Sequence, residues 1–262
     1  MSVRYKITVN PRYSHLREFV ERVPHRGEEL GEVIYKARNA VYANRETSTA
    51  LCIKSFKVPP LYNRVAYTFL RKSKARRSYE NALRLLDAGF LTPEPVAYVE
   101  VYSSGLLERS YYISLMVDAR NVREWQQRPD GDRIADGVAQ LLHRLHSAGV
   151  WHCDFSPGNV LVDADYRYYL IDINRMRFGV TSRKKLISNF KSINMNVEAT
   201  EHLARLYARY AGIADVDDFM KKVMREFKSF WTRCHRKNAR RERRRLKREA
   251  RNVIKTKQIN EK

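Results

Sequence analysis

Acidic residues are scarce in this sequence, with 29 Asp and Glu set against 51 Lys and Arg for a formal charge of +22. Such a surface points to an anionic partner: nucleic acid, an acidic membrane surface or a phosphorylated substrate. Cysteine is scarce too. Cys52, Cys153 and Cys234 are odd in number and far apart, with no CxxC pair. That spacing excludes a disulfide framework and a structural zinc, and it fits reduced thiols in a cytosolic protein. Nowhere do 18 apolar residues run together, and the opening "MSVRYKITVNPRYSHLREF" has no apolar core of signal-peptide length. The expectation is a chain neither exported nor membrane-spanning.

What is present is enough to fold. At 262 residues and 44% hydrophobic content, the chain fits one large domain or two lobes around a shared cleft. The charge is uneven. Between Glu226 and Lys262 lie 15 Lys and Arg and only 4 Glu, a net +11 that is half the total.

Periodicity supplies the organisation. "EVIYKARNAVYA" (Glu32 to Ala43) and "TALCIKSFKV" (Thr49 to Val58) are β-branched and aromatic, and with the polar "NRETS" between them they predict a hairpin. In "RKSKARRSYENALRLLDAGF", Ala75, Tyr79, Ala82, Leu83 and Leu86 recur at helical spacing, with Gly89 where a helix C-cap would stand. "TPEPVAYVEV" and "SYYISLMV" read as two more strands. After Asp118 the pattern turns helical. "DRIADGVAQLLHRLHSAG" puts Ile134, Val138, Leu141, Leu142 and Leu145 on one face, and amphipathic segments follow near Arg183–Ile193, Val197–Tyr210 and Val216–Cys234. The expected division is a β-rich part (1–117), a helical part (118–226) and a basic helix or tail (227–262), with a hinge within Leu115–Asp118.

Between these helices lies "VWHCDFSPGNVLVDADYRYYLIDINRMRF", Val150 to Phe178. "NVLVD" and "YYLIDI" form a plausible hairpin around "ADYR", which sets Asp154 and Asn159 just before it and Asp172 at its exit. Two carboxylates and an amide oxygen converging on one spot suit the hard cation Mg²⁺, while Asp154 is placed to orient or deprotonate a hydroxyl. Taken singly, each has a bland reading: a turn or cap residue for Asp154, an Asx-turn for Asn159, a strand-end acid for Asp172. The spaced trio favours the chemical one.

"HCDFSPGN", with His152, Asp154 and Asn159, resembles the catalytic loop H-x-D-x-x-x-x-N of the protein-kinase-like fold, and "IDIN" stands where that fold carries D-F-G, with Ile173 and Asn174 departing from Phe and Gly. "LCIK" resembles its V-A-I-K strand. The resemblance implies an α+β, bilobal protein-kinase-like fold with a small β-rich N-lobe, a helical C-lobe and no extended activation segment. It implies ATP and Mg²⁺ as cofactors, with Asp154 and His152 catalytic and Asn159 and Asp172 as metal ligands. Lys54 becomes the phosphate-binding lysine with Glu80 as its ion-pair partner, and Met116 and Val117 in the hinge join the cofactor site. No glycine-rich loop is present: "KARN" lies between "EVIY" and "AVYA", so Lys36 and Arg38 either supply charge to the phosphates or form a charged hairpin turn.

"RMRFGVTSRKKLISNF" leads into helices with no A-P-E, against a eukaryotic-type protein kinase. Over about Val33 to Arg177 the sequence resembles the lipopolysaccharide kinase family, through "ENALRLLDAGFLTPEPVAY", "HCDFSPGNVLV" and "LIDINRMRF". That resemblance implies phosphorylation of a sugar hydroxyl, of Kdo (3-deoxy-octulosonic acid) or heptose, in the lipopolysaccharide inner core. The partners would be ATP and a lipid-linked acidic sugar, and the setting cytoplasmic, peripheral on the inner face of the inner membrane. "TRCHRKNARRERRRLKREAR" is helix-compatible, and each Lys or Arg near an anionic leaflet contributes about 1 kcal/mol. A solvated charged helix and nucleic-acid binding are the competing readings of this tail. A RIO-like atypical kinase or ATPase acting on a protein or ribosomal particle, and a non-catalytic scaffold, are the other functional classes.

Overall fold

The computed structural model describes residues 3–260 apart from 28, 38, 59, 194 and 195, with side chains to residue 246 and at Glu249. Six strands, β1 (Val3–Val9), β2 (Glu32–Lys36), β3 (Asn39–Asn44), β4 (Leu51–Phe56), β5 (Pro95–Ser103) and β6 (Leu106–Leu115), form one sheet in the order β1-β5-β6-β4-β3-β2. Every neighbouring pair is antiparallel. β5 reads as a near-continuous apolar run because it is covered on both faces and buried along almost its whole length. One cover is α1 (Arg17–Arg22) with its flanking 3₁₀ turns, whose Leu16, Phe19, Val20 and Val23 cluster with Val96, Val99 and Val101. The other, after α2 (Leu61–Val65), is α3 (Lys74–Asp87), whose Tyr79, Ala82 and Leu85 continue into the core of the helical lobe.

α3 is bounded as its sequence demands. The Ser73 hydroxyl accepts from Arg76 N–H at 3.0 Å, capping the first turn, and Gly89 at φ +75° lets Phe90 N–H reach Leu85 C=O at 2.9 Å.

Beyond the hinge come β7 (Arg120–Asn121), α4 (Gly131–Ser147), β8 (Val160–Val162), β9 (Tyr168–Leu170), α5 (Arg183–Ile187), α6 (Val197–Tyr210) and α7 (Val216–Asn260). β7, β8 and β9 make a small second sheet, and α4, α6 and α7 supply the apolar mass beneath it. One core cluster therefore spans both lobes, bridged by α3, which packs both on β5 and on the 3₁₀ turn Ile173–Arg175, while α1 covers a second cluster on the other face of the sheet.

The run Glu32 to Ala43 is two strands joined by the charged hairpin turn that "KARN" offered: the chain doubles back between Lys36 and Asn39, pairing Lys36 with Ala40. β1 and α1 carry no sequence signal as strong as their neighbours, since β1 is an edge strand with four of its seven residues exposed. α7 runs from Val216 into the basic tract without a break.

Candidate active site

The site gathers where the lobes meet. Lys54 projects from β4, and its Nζ lies 2.7 Å from Asp172 Oδ1, closing a sequence gap of 118 residues. Asp172 follows β9, which is stitched to the N-lobe: Leu170 N–H donates to Leu91 C=O at 2.9 Å, and the Thr92 hydroxyl donates to Leu170 C=O at 2.7 Å. Burial favours the protonated form of Asp172, but the Lys54 charge and hydrogen bond, with the hydrogen bond from Asn174, outweigh it and hold the carboxyl below its ordinary value. Asn174 Nδ2 donates to the same Oδ1 at 2.8 Å, an assignment that leaves Oδ2 for another partner.

The loop before β8 is built around His152, which is buried. Asp154 N–H donates to its Nδ1 at 3.2 Å, so that nitrogen is unprotonated and Nε2 donates to Ile171 C=O at 3.0 Å. Burial depresses its pKa, so the ring is neutral. Both ring nitrogens are thus spent on backbone. His152 fixes the loop to the strand that carries Asp172, and both nitrogens that a proton-transfer role would use are already hydrogen-bonded.

Asn159 Nδ2 donates to Asp154 C=O at 2.9 Å, while Ile171 N–H donates to Asn159 C=O at 2.9 Å. The amide nitrogen is used inward, and Oδ1 is the atom left for a cation. Asp154 itself is exposed at the cleft edge. From below, Asn189 Nδ2 donates to His152 C=O at 2.6 Å and the Ser192 hydroxyl to Phe155 C=O at 3.1 Å.

The expected Lys54–Glu80 pair is not formed. Glu80 instead meets Lys72 Nζ, from the segment just before α3, at 2.7 Å and Arg76 Nε, one turn back on the helix, at 2.9 Å. Its neighbour Asn81, one residue and about 100° further round the helix, is the side chain that reaches the site, donating to Ile173 C=O at 2.8 Å. Met116 N–H donates to Ala50 C=O at 2.9 Å and Ala119 N–H to Val117 C=O at 3.0 Å, which fixes the hinge beside β4. Lys36 ends β2, exposed, at the hairpin tip; Arg38 lies outside the described residues.

Sequence reasoning missed Asn81, Asn174, Asn189 and Arg123. The Arg123 guanidinium lies so close over the catalytic loop that a Cβ on Gly158 would come within 2.4 Å of Nη2. "SPGN" hinted at this, since a glycine there permits a close approach. After Asp172 the chain takes one 3₁₀ turn, pairs Arg177 with Trp151, and enters α5 at Arg183. No extended activation segment intervenes.

A small antiparallel lobe, a helical lobe and a lysine–aspartate pair at their junction define the protein-kinase-like class. The model of the lipopolysaccharide kinase (Kdo/WaaP) family matches residues 61–222, and the chain belongs to that family. It is 27% identical over 108 residues to a 3-deoxy-D-manno-octulosonic acid kinase of Vibrio parahaemolyticus, covering 40% of this chain and 45% of the relative. It is 30% identical over 141 residues to the enzyme of the same name from Pasteurella multocida, covering 51% and 56%. The chain thus spans about half the length of the curated relatives it matches. A solved structure of WaaP in complex with acyl carrier protein superposes with a TM-score of 0.56 at 18% identity, covering 86% of this chain and 99% of WaaP, a likeness of fold.

Proposed function

We propose that the protein transfers the γ-phosphate of ATP to a sugar hydroxyl of the lipopolysaccharide inner core, with Kdo as the acceptor. The observation that carries this is the Lys54–Asp172 contact at 2.7 Å, made beside Asn159 and Asp154 at the lobe junction. Family membership supplies the sugar class, and the relatives' names favour Kdo over heptose.

The donor set fits Mg²⁺. Asp172 Oδ2 and Asn159 Oδ1 are hard oxygens, and no group of three or more His, Cys, Asp or Glu arranged for a metal occurs among the described residues, so water and phosphate oxygens would complete the shell. Bound there, Mg²⁺ would neutralise charge on the transferring phosphate. Lys54 holds a second positive charge against the phosphates. Met116 and Val117 flank the nucleotide at the hinge, and Lys36 approaches from the hairpin tip in place of a glycine-rich loop. Asp154 orients the acceptor hydroxyl and accepts its proton as the O–P bond forms. His152 keeps Asp154 in register with Asp172.

The test is phosphate transfer from labelled ATP to purified core acceptors of defined structure, run with the wild type and Asp172→Ala. Transfer to a Kdo-terminated acceptor, lost in the variant, supports the reading. Transfer to a heptose acceptor alone moves the specificity, and transfer only to protein hydroxyls replaces the reading with the RIO-like one.

A further inference from the structure

Between β4 and α3 the chain runs through α2 and a π-helical turn, Ala66–Leu70, with its largest apolar side chains turned to solvent. Relative exposure is 64% for Leu61, 73% for Tyr62, 41% for Val65, 72% for Phe69 and 81% for Leu70. The segment is held in place from beneath. Arg64 Nε donates to Leu107 C=O at 3.0 Å, and Leu107 N–H donates to the Thr68 hydroxyl at 2.9 Å, which ties both helical turns to the start of β6.

The same end of the sheet carries more exposed apolar surface. Asn39 pairs with Phe56 and its Oδ1 accepts from Lys57 N–H at 3.4 Å, so the β2–β3 tip lies against the exit of β4. Ile34 and Tyr35 near that tip, and Val58 just past it, are also exposed. Monomeric surfaces rarely gather this many exposed large apolar side chains at one end of a sheet without a use for them.

Charge identifies the partner. From Thr47 to Tyr79 the sequence has eight Lys and Arg and no Asp or Glu. Lys54 pairs with Asp172, and Lys72 and Arg76 with Glu80, whereas Lys57 and Arg71 are exposed at the two ends of the apolar segment. Exposed aliphatic and aromatic side chains bracketed by cations, with a tyrosine among them, match the boundary between lipid headgroups and acyl chains.

We propose that this end of the N-lobe, centred on Leu61, Tyr62, Phe69 and Leu70, is a docking surface for an anionic phospholipid bilayer. It is separate from the basic tail and differs from it in kind, because it inserts apolar groups where the tail offers only charge. The docking does not rest on the proposed lipid-linked acceptor.

Vesicle sedimentation of the full chain tests it, using phosphatidylcholine alone or mixed with phosphatidylglycerol, at low and high salt. The wild type is expected to retain binding to the mixed vesicles at high salt. Phe69→Ser/Leu70→Ser, checked for an unchanged Tm, is expected to lose roughly tenfold or more of that salt-resistant binding. In Tyr62→Trp the added fluorescence should shift to the blue on vesicle binding and be quenched by brominated acyl chains. Binding unchanged in the double variant, or fluorescence that does not respond, overturns the proposal. So does a wild type that self-associates in sedimentation velocity through this patch, with the double variant monomeric. A protein that docks as described yet transfers no phosphate to core acceptors would refute the proposed function and leave this surface standing.

Discussion

Asp172 adopts the left-handed region at φ 55°, ψ 42°, a conformation that costs a non-glycine residue about 1–3 kcal/mol and persists where the surroundings enforce it. The enforcement is visible in the Lys54 and Asn174 contacts on Oδ1. Asp154 has no such constraint and stands exposed, as a group must if it is to meet an incoming hydroxyl. The two acids should therefore fail differently. Asp154→Ala should lower kcat by about 10²–10⁴ while leaving ATP binding intact. Asp172→Ala should abolish metal-dependent turnover and weaken nucleotide binding in the presence of Mg²⁺. Equal turnover of either variant and the wild type would refute the assignment. The positions of Asp154, Asn159 and Asp172 were legible as motif spacing. The role of His152 was not, because only the fold shows that both its nitrogens are consumed by backbone at Asp154 and Ile171.

A second residue-scale consequence comes from His146 on α4, buried between the Tyr207 hydroxyl at 2.9 Å and Asn189 Oδ1 at 3.0 Å. Burial pulls its pKa down from 6.5 to about 4. Between those values the unfolded chain binds the proton and the native one does not, so stability is full above pH 6.5 and falls as pH drops toward 4. The shift corresponds to at most about 3 kcal/mol, and His152, buried and neutral, acts in the same sense. Urea midpoints measured across this range should decline in the wild type and decline less steeply in His146→Gln. A flat wild-type profile would show that the His146 network does not set acid stability.

At the scale of elements, α3 shows how far a sequence reading carries. Its apolar face and Gly89 follow from local chemistry, but which polar residue faces the cleft depends on helix rotation against β5 and the Ile173–Arg175 turn. Glu80 fitted the family pattern; Asn81 makes the contact. Glu80 sits in a partly exposed pair of ion contacts worth about 0–1 kcal/mol. Glu80→Ala should therefore change kcat little. Asn81→Ala removes a donor to the segment that carries Asp172 and should reduce kcat more than Glu80→Ala, with melting temperatures close to each other. A larger loss in Glu80→Ala would mean that Glu80 leaves Lys72 and Arg76 to meet Lys54 during turnover. The charged turn at "KARN" was one of two open readings, because a turn with no glycine or proline leaves little mark in a β-branched run, whereas the paired register with β4 is fixed only by tertiary contact.

Over the whole molecule the charge is the organising quantity, and half of it lies on α7. Phe230 and Trp231 pack ring to ring at 5.4 Å, with Phe227 buried beneath, and Lys191 Nζ lies 6.0 Å over Phe230, so the helix is anchored to the lobe up to that point. From Thr232 to Leu246 nearly every side chain is exposed. No helix among the described residues is long and apolar enough to cross a membrane. If the tail attaches the protein to an anionic surface by charge alone, its contribution must fall steeply as the Debye length shrinks from about 10 Å at 0.1 M to about 3 Å at 1 M salt. Truncation after Trp231 keeps the ring anchor and every proposed nucleotide residue, all of which precede Ile173. It should abolish the salt-sensitive part of binding to phosphatidylglycerol-containing vesicles, spare the salt-resistant part assigned to Leu61–Leu70, and leave ATP affinity unchanged. Activity on acceptor embedded in such vesicles should fall, while activity on a detergent-free soluble core oligosaccharide should not. A tail that bound structured RNA tightly at physiological salt and ignored anionic lipid would instead make nucleic acid the partner of α7.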